Sequence, residues 1–521
     1  RDVAGQTSYD ASAQAPDAAR EVGAKNEFTV SQVVEELGLT AHHLHVFGFI
    51  CWMWIFYGWC CTALVYILDA SGDSKTDWTR LTSPSDRLSV EDRSLCLFIQ
   101  TLMCATACPL MSGFSDIWGR VPASEVCIIW TGIVLLGFAA SPDKLRLMCL
   151  LCIYPGGGPA SITQSLLSEW LPVEWRGILS TMLHLVWNVG RLAVTFLWVV
   201  MPPSQQWRAF LFTVAIFPIS LGVFARFRGW RYESPRVLAV TGKAEGCVSV
   251  LKLAAESNTN RRLLRVLANP QNLRLESSGC AVQIQLKSWS DQLSELFVPE
   301  LRLLTVVLGV IIFAISICSS LVYMWFMEYL EAIDMAAAIV PTMIAAPVGK
   351  IVGNAMLVVG GRGSCLIDTC PLRTTMQVGF FGCACSLAGF MVCERVTAIT
   401  IVMFFCMVFE EVVWTAQSIA VIEAYPTTVR VTATGVNGIF MFLGALVGSS
   451  MGGLLMKIWA YLPMLAMMAL HLLGGCCCFF LTNKRFRGTL DDTVADGPRQ
   501  SASEIQVPLE SYGACRKQLT P

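Results

Sequence analysis

Four places in this chain set ionisable or polar side chains inside long apolar runs. Glu410 and Glu411 stand together in MVFEEVVW, Arg191 lies in HLVWNVGRLAV, Lys350 in APVGKIVG, and His184 precedes Arg191 on the same run. A charge at the centre of a bilayer costs about 2.5–3.5 kcal/mol, so each marks a functional candidate. His184, Asn188 and Arg191 follow i, i+4, i+7 spacing and share one helix face. That stripe has two readings, a lining for a charged solute or a buried polar network between helices. Glu410 and Glu411 point about 100° apart on a helix. One is therefore expected to face a cavity while the other packs on a neighbour. A carboxyl that exchanges its proton as access to water alternates would couple to a proton. A fixed ion pair with Lys350 or Arg191 is the other reading. Trp414, one turn from Glu410, is placed to wall a cavity or stack on an organic ligand. Together these residues favour a charged or zwitterionic organic solute.

The elements that hold them read as membrane helices. The chain has 521 residues, 55% hydrophobic and only 14% charged, against about 25% charged in soluble domains. Such a chain needs lipid as solvent. Apolar runs of spanning length fall near 44–68, 94–113, 123–140, 145–168, 177–202 and 207–225. They resume near 302–326, 334–358, 374–393, 397–421, 432–456 and 459–482. A short signature occurs once in each half, Glu169-x-x-Pro172-x-x-x-Arg176 and Glu423-x-x-Pro426-x-x-x-Arg430. A duplicated element at this separation points to two related membrane halves. The expected organisation is a disordered segment 1–27, a six-helix bundle 28–225, a cytoplasmic linker with short amphipathic helices 226–300, a second bundle 301–485 and a disordered cytoplasmic tail 486–521. Val248, Leu251 and Leu253 supply the apolar positions of the linker helices. The arginines and lysines favour both termini on the cytoplasmic side.

Other chemistries find little support. The 22 cysteines lie mostly inside apolar runs and read as packing residues, not as metal or disulfide sites. No cofactor is implied. The net charge of −1 gives no basic surface for nucleic acid. No nucleotide loop, HExxH or nucleophile elbow appears, so an enzyme is not expected. Gly156, Gly157 and Gly158 lie within a span and read as close helix packing or a bend.

Gly113-Phe-Ser-Asp116-Ile-Trp-Gly119-Arg120 follows the second run. This loop, the paired signatures and the six-plus-six layout resemble the major facilitator superfamily. Trp207-Arg208 at the sixth run, Tyr232-Glu233-Ser234-Pro235-Arg236 and Thr241-Gly242-Lys243-Ala244-Glu245 resemble segments of its organic ion transporters and synaptic-vesicle-2-related proteins. The leader FTVSQVVEELGL resembles the latter group. The resemblance implies an all-α membrane protein with twelve transmembrane helices in two pseudo-symmetric six-helix bundles. It implies that the fifth, eighth and tenth spans border a central cavity. It further implies a cytoplasmic gate of Gly113, Asp116, Gly119, Arg120, Glu169 and Arg176, with Glu423 and Arg430 in the second half. Val358 stands where the second copy of the loop motif would have Asp, so the second network is expected to be weaker and to lean on Arg362 as well.

The function so implied is secondary active transport by alternating access, proton- or cation-coupled. The alternative is a non-transporting receptor or vesicle-resident binder on the same fold. The expected partners are a small-molecule substrate and the lipid bilayer, with the chain a monomer. The plasma membrane is the expected location, a vesicular membrane the alternative.

Overall fold

The computed structural model describes residues 28–70, 89–140, 144–154, 158–228, 232–241, 243–258, 260–268, 273–274, 289–358, 370–425 and 427–481. The described residues are almost wholly helical. Strand pairing among them is a parallel pair of two-residue strands, Phe28–Thr29 (β1) and Leu273–Arg274 (β2). After the short α1 (Val30–Leu37), the first half contains α2 (Ala41–Ala70), α3 (Val90–Trp118), α4 (Arg120–Ala140), α5 (Lys144–Leu151), α6 (Gly158–Trp170), α7 (Val173–Val200) and α8 (Pro203–Arg228). Four short helices follow: α9 (Pro235–Val240), α10 (Ala244–Ser257), α11 (Arg261–Ala268) and α12 (Trp289–Leu296). The second half contains α13 (Pro299–Ala332), α14 (Ile339–Val358), α15 (Leu372–Val392), α16 (Val396–Ala424), α17 (Thr427–Ile458) and α18 (Leu462–Cys477).

Eleven of these helices are long and apolar enough to cross a membrane. The run read near 145–168 is described in two pieces, with residues 155–157 outside the description. Among the described residues α5 covers its start and α6, which begins at Gly158, covers its end. The bend reading of Gly156–Gly158 falls mostly on residues outside the description. Only Gly158 is described, where a side chain would collide with Cys127 and Met111.

Helix packing repeats between the halves. α2 packs on α7, and α13 packs on α17. In both pairs glycines let backbone meet backbone. A Cβ on Gly190 would strike the Ile55 carbonyl, and one on Gly448 would reach the Ile317 carbonyl. The halves meet where α7 packs on α14 and α3 on α17.

The connectivity defines two faces. The central face carries the α9–α12 segment; the far face lies at the C-terminal ends of α2 and α13. Toward the far face a single apolar cluster contains residues of both halves, including Phe138, Phe210, Trp325 and Phe390. Toward the central face the core divides. One cluster belongs to the first half with α1, α10 and α11, another to the second half with α12. Val248 and Leu251 of α10 are buried in the former, while Leu253 is 41% exposed and takes no part.

Candidate functional site

The mid-membrane charges come together around Lys350 on α14. Its Nζ lies 3.4 Å from Glu410 Oε1 and 3.5 Å from Glu411 Oε2 on α16. All three side chains are buried. Consecutive carboxylates diverge on a helix, yet the lysine sits between their directions and pairs with both. The expected division, one acid in a cavity and one on a neighbour, is therefore replaced by a shared cation. α14 approaches α16 closely because it carries Gly349 and Gly353, where a Cβ would meet the Phe404 and Val408 carbonyls.

The two acids are not equivalent. Glu411 has both oxygens engaged: Oε2 by Lys350, and Oε1 by the Asn354 amide, which donates at 2.7 Å. Thr415 Oγ1 in turn donates to Asn354 Oδ1 at 3.1 Å. Glu410 uses Oε1 for Lys350 and for the Ser319 hydroxyl. Its Oε2 is buried with no hydrogen-bond partner among the described residues. Trp414 Nε1 donates to Ser319 Oγ at 2.8 Å, so the tryptophan fixes the serine that holds Glu410. Ser319 and Asn354 complete the site beyond the residues that the sequence marks. Their signal was present only as small polar residues within apolar runs.

On the first half, α7 presents the expected stripe as a ladder. Asn188 Nδ2 donates to the His184 carbonyl at 3.0 Å, and Arg191 Nη1 donates to Asn188 Oδ1 at 3.4 Å. The His184 ring packs edge-on against Trp54. Arg191 is 8% exposed and forms no ion pair among the described residues, and its Nε has no partner. The guanidinium instead lies 4.2 Å from the Tyr323 ring centroid and 5.0 Å from that of Trp187. Tyr323 belongs to α13 of the other half, and its hydroxyl lies 2.5 Å from Thr62 Oγ1 on α2. Arg191 and Glu410 are within electrostatic range of each other, as is His184 of Lys350 and Glu411. The stripe and the carboxylate cluster thus belong to one polar region between the halves.

A second charged group sits at the central face. Arg120 forms an ion pair with Glu169, Nη2 to Oε1 at 2.9 Å, and donates to Ser115 Oγ at 2.6 Å. Gly119 has φ +111°, which suits glycine, and a side chain there would strike Glu233. Glu233 accepts the backbone N–H groups of Arg120 at 3.0 Å and Val121 at 3.1 Å. A carboxylate thus caps the N-terminus of α4. Trp170 Nε1 donates to the Tyr232 carbonyl at 3.0 Å. Three stretches noted separately in the sequence therefore meet: the glycine-bracketed loop, the first signature and the Tyr232–Arg236 segment. Burial pushes the Glu233 carboxyl above the usual carboxylate range, and the Glu169 charge adds to this against the pull of three N–H donors. Gly113 is exposed near the end of α3. The side chains of Asp116, Arg176, Glu423, Arg430 and Val358, and all of Arg362, lie outside the described residues, as do the proposed terminal segments. The second-half network expected there is left without a structural account.

The far face holds ion pairs that join the halves. Ser89 caps α3 in a reciprocal pair with Asp92, which sets Glu91 and Arg93 on its first turn. Arg93 Nη1 lies 2.7 Å from Glu328 Oε2 at the end of α13, and its guanidinium is 5.3 Å from the Trp325 ring centroid. Trp325 Nε1 donates to the Ser449 carbonyl at 2.8 Å. Glu91 pairs with Lys457 near the end of α17.

No family model matches the chain. Organic anion transporter 3 of Oryctolagus cuniculus is 24% identical over 437 residues, covering 78% of this chain and 73% of the relative. The synaptic vesicle 2-related protein of Pongo abelii is 23% identical over 422 residues, covering 73% and 69%. Among solved structures, the partially occluded inward open conformation of the xylose transporter XylE from E. coli superposes with a TM-score of 0.63 at 12% identity. That match covers 86% of this chain and 100% of XylE. XylE bound to 6-bromo-6-deoxy-D-glucose, described as a major facilitator superfamily proton:xylose symporter, gives a TM-score of 0.58 at 14% identity.

Proposed function

Starting from a multi-pass membrane protein with the major facilitator fold, similar to organic anion transporters and synaptic-vesicle-2-related proteins, we propose secondary active transport of a small charged or zwitterionic organic solute by alternating access. The observation that carries this reading is Arg191, a buried cation with no carboxylate partner among the described residues, resting on aromatic faces at the seam between the halves. A solute anion completes its coordination. An ammonium group on a zwitterion would lie toward Glu410. The cation–π contacts contribute about 2 kcal/mol when desolvated and hold the guanidinium in place.

The divided core supports the cycle. The halves share one apolar cluster toward the far face and separate clusters toward the central face. A side chain on Gly113, Gly435 or Gly438, near the central face, would meet nothing, whereas one on Gly452 or Gly453 would strike Trp325. These features support a transporter open on the side of α9–α12, and the distribution of positive charge favours the cytoplasm for that side. Glu410 carries the coupling proton in this reading, because one of its oxygens lacks a partner while both oxygens of Glu411 are engaged.

Uptake into proteoliposomes tests the proposal. Arg191→Ala is expected to reduce transport of an organic monoanion about 10- to 100-fold, the worth of a charged hydrogen bond, and to leave a neutral analogue near the wild-type rate. Equal loss of both assigns Arg191 to structure. Binding without flux for any ligand favours the non-transporting receptor instead. Glu410→Gln is expected to flatten the pH dependence of uptake, and Glu411→Gln to lower the amount of folded protein. The reverse outcome exchanges their roles.

A further inference from the structure

His471 on α18 is buried, with 3% of its surface exposed. Its Nδ1 lies 2.8 Å from the Met467 carbonyl, one turn earlier. A carbonyl only accepts, so Nδ1 carries the ring proton and donates. The neutral ring then presents Nε2 as a bare acceptor, buried and without a hydrogen-bond partner among the described residues. Glu410 Oε2 is in the same condition. A buried acceptor left unmatched is costly, and here two occur close together: Glu410 and His471 lie within electrostatic range of each other.

Two neighbouring helices hold the pair in register. On α13, Ser319 donates to Glu410 Oε1. Cys318 beside it donates to the Met467 carbonyl at 3.6 Å, the same carbonyl that anchors His471. On α15, the Phe380 ring packs edge-on against His471 with centroids 6.0 Å apart. Cys383, one turn later, donates to the Cys406 carbonyl at 3.5 Å, one turn before Glu410 on α16. The other ionisable groups around Glu410 are Lys350 of α14, Glu411, Arg191 of α7 and the thiols of Cys318, Cys383 and Cys406. His184 of α7 faces Lys350 and Glu411. None of these makes a hydrogen bond to Glu410 Oε2 or His471 Nε2.

We propose that the coupling proton is held between Glu410 and His471, bonded to Glu410 Oε2 and donated to His471 Nε2 directly or across one water. Loading forms one O–H bond with a proton taken from water, and unloading breaks it and returns the proton. Oε2 turns from acceptor to donor, so a single proton satisfies both atoms, while Oε1 keeps Ser319 and Lys350. Charge fixes the count. Arg191 and Lys350 are matched one for one by Glu410 and Glu411 when the pair is unloaded. A proton alone leaves one buried positive charge uncompensated, and a monoanion on Arg191 alone leaves one negative charge. Both are disfavoured, so one proton and one monoanion enter together. The proposal rests on the transport reading above and adds His471 to its proton site.

The test uses the full chain in liposomes, with protons as the only added ligand. A carboxylic-acid C=O band absent from Glu410→Gln is expected in the infrared spectrum of the wild type as the buffer is acidified. In His471→Phe, which keeps a ring against Phe380, that band is expected at higher frequency, because the acceptor for its O–H is gone. A band at the same frequency in both overturns this proposal and leaves proton coupling through Glu410 standing. No such band in the wild type at any pH defeats the Glu410 reading and this proposal together. The chain has five histidines, so a second measurement reads their isotope-labelled ring nitrogens by NMR and needs no histidine variant. One ring that keeps its Nδ1 proton throughout is expected to show an Nε2 signal following the pH course of the band, and to lose that response in Glu410→Gln. No ring behaving so overturns the proposal even where His471→Phe fails to fold.

Discussion

The two faces of this molecule use charge in opposite ways. At the central face Arg120, Glu169, Glu233 and Ser115 all belong to the first half and its following segment, so their bonds brace one bundle internally. At the far face Arg93–Glu328 and Glu91–Lys457 each join one half to the other. A bond within a bundle survives when bundles rock apart, whereas a bond between bundles must break. The difference separates stability from conformational choice. On the alternating-access reading proposed above, the far-face pairs favour the state open at the central face, while the central-face network holds α4 to α6 and to the segment after α8.

The largest expected effect comes from the brace. Glu233→Ala removes the acceptor for the first N–H groups of α4, and hydrogen bonds to a charged group contribute about 1.5–3 kcal/mol each. A loss of about 3 kcal/mol in unfolding free energy is expected, measured as a lowered thermal midpoint in detergent, with little change in which face is open. The pH dependence has a definite sign. Burial raises the folded-state pKa of Glu233 above its unfolded value, so the folded state binds more protons in the window between them. Its contribution to stability is therefore greatest below the unfolded value, falls as pH rises through the window, and is lowest above the folded value. Glu233→Gln is expected to flatten that slope. An unchanged slope assigns the acid stability to another group.

The next effect is conformational. Arg93 is buried and Glu328 largely so, with side-chain exposures of 8% and 21%. Removing one member of a buried pair costs about 3–5 kcal/mol, and partial exposure lowers this to about 2 kcal/mol. Glu328→Gln is expected to move the equilibrium toward the far-face-open state by about 30-fold. Hydrogen exchange should rise over residues 90–93 and fall over 113–118. A uniform rise across the protein would mean that this pair also serves stability, and the contrast between the faces would fail.

Much of the fold was legible because membrane helices announce themselves by apolar length. The layout of spans and the stripe His184–Asn188–Arg191 needed only helical periodicity. Partnership was not legible. Nothing in the spacing around Arg93 announces its partner, because Glu328 lies far along the chain. Glu410 and Glu411 read as divergent because helical geometry separates them; the lysine between them comes from another helix. Glu233 stood in a recognised segment, yet its acceptors' partners are backbone N–H groups, which carry no sequence signal. Gly158, at the start of α6, packs against Cys127 and Met111, neighbours from other helices that carry no signal around it in the sequence.

The smallest effect belongs to Glu91–Lys457, and it sharpens the contrast most cleanly. Both side chains are well exposed, at 62% and 46%, so water and salt screen the pair. Glu91→Lys is expected to shift the equilibrium in the same direction as Glu328→Gln, by much less, and only at low ionic strength. The double variant Glu91→Lys with Lys457→Glu restores opposite charges across the seam and should recover the wild-type balance. High salt should erase the Glu91→Lys effect while leaving that of Glu328→Gln in place, because the buried pair is shielded from ions. If salt abolishes both, Arg93–Glu328 is as wet as its neighbour, and the apolar cluster around Trp325 then carries the closure of the far face by itself.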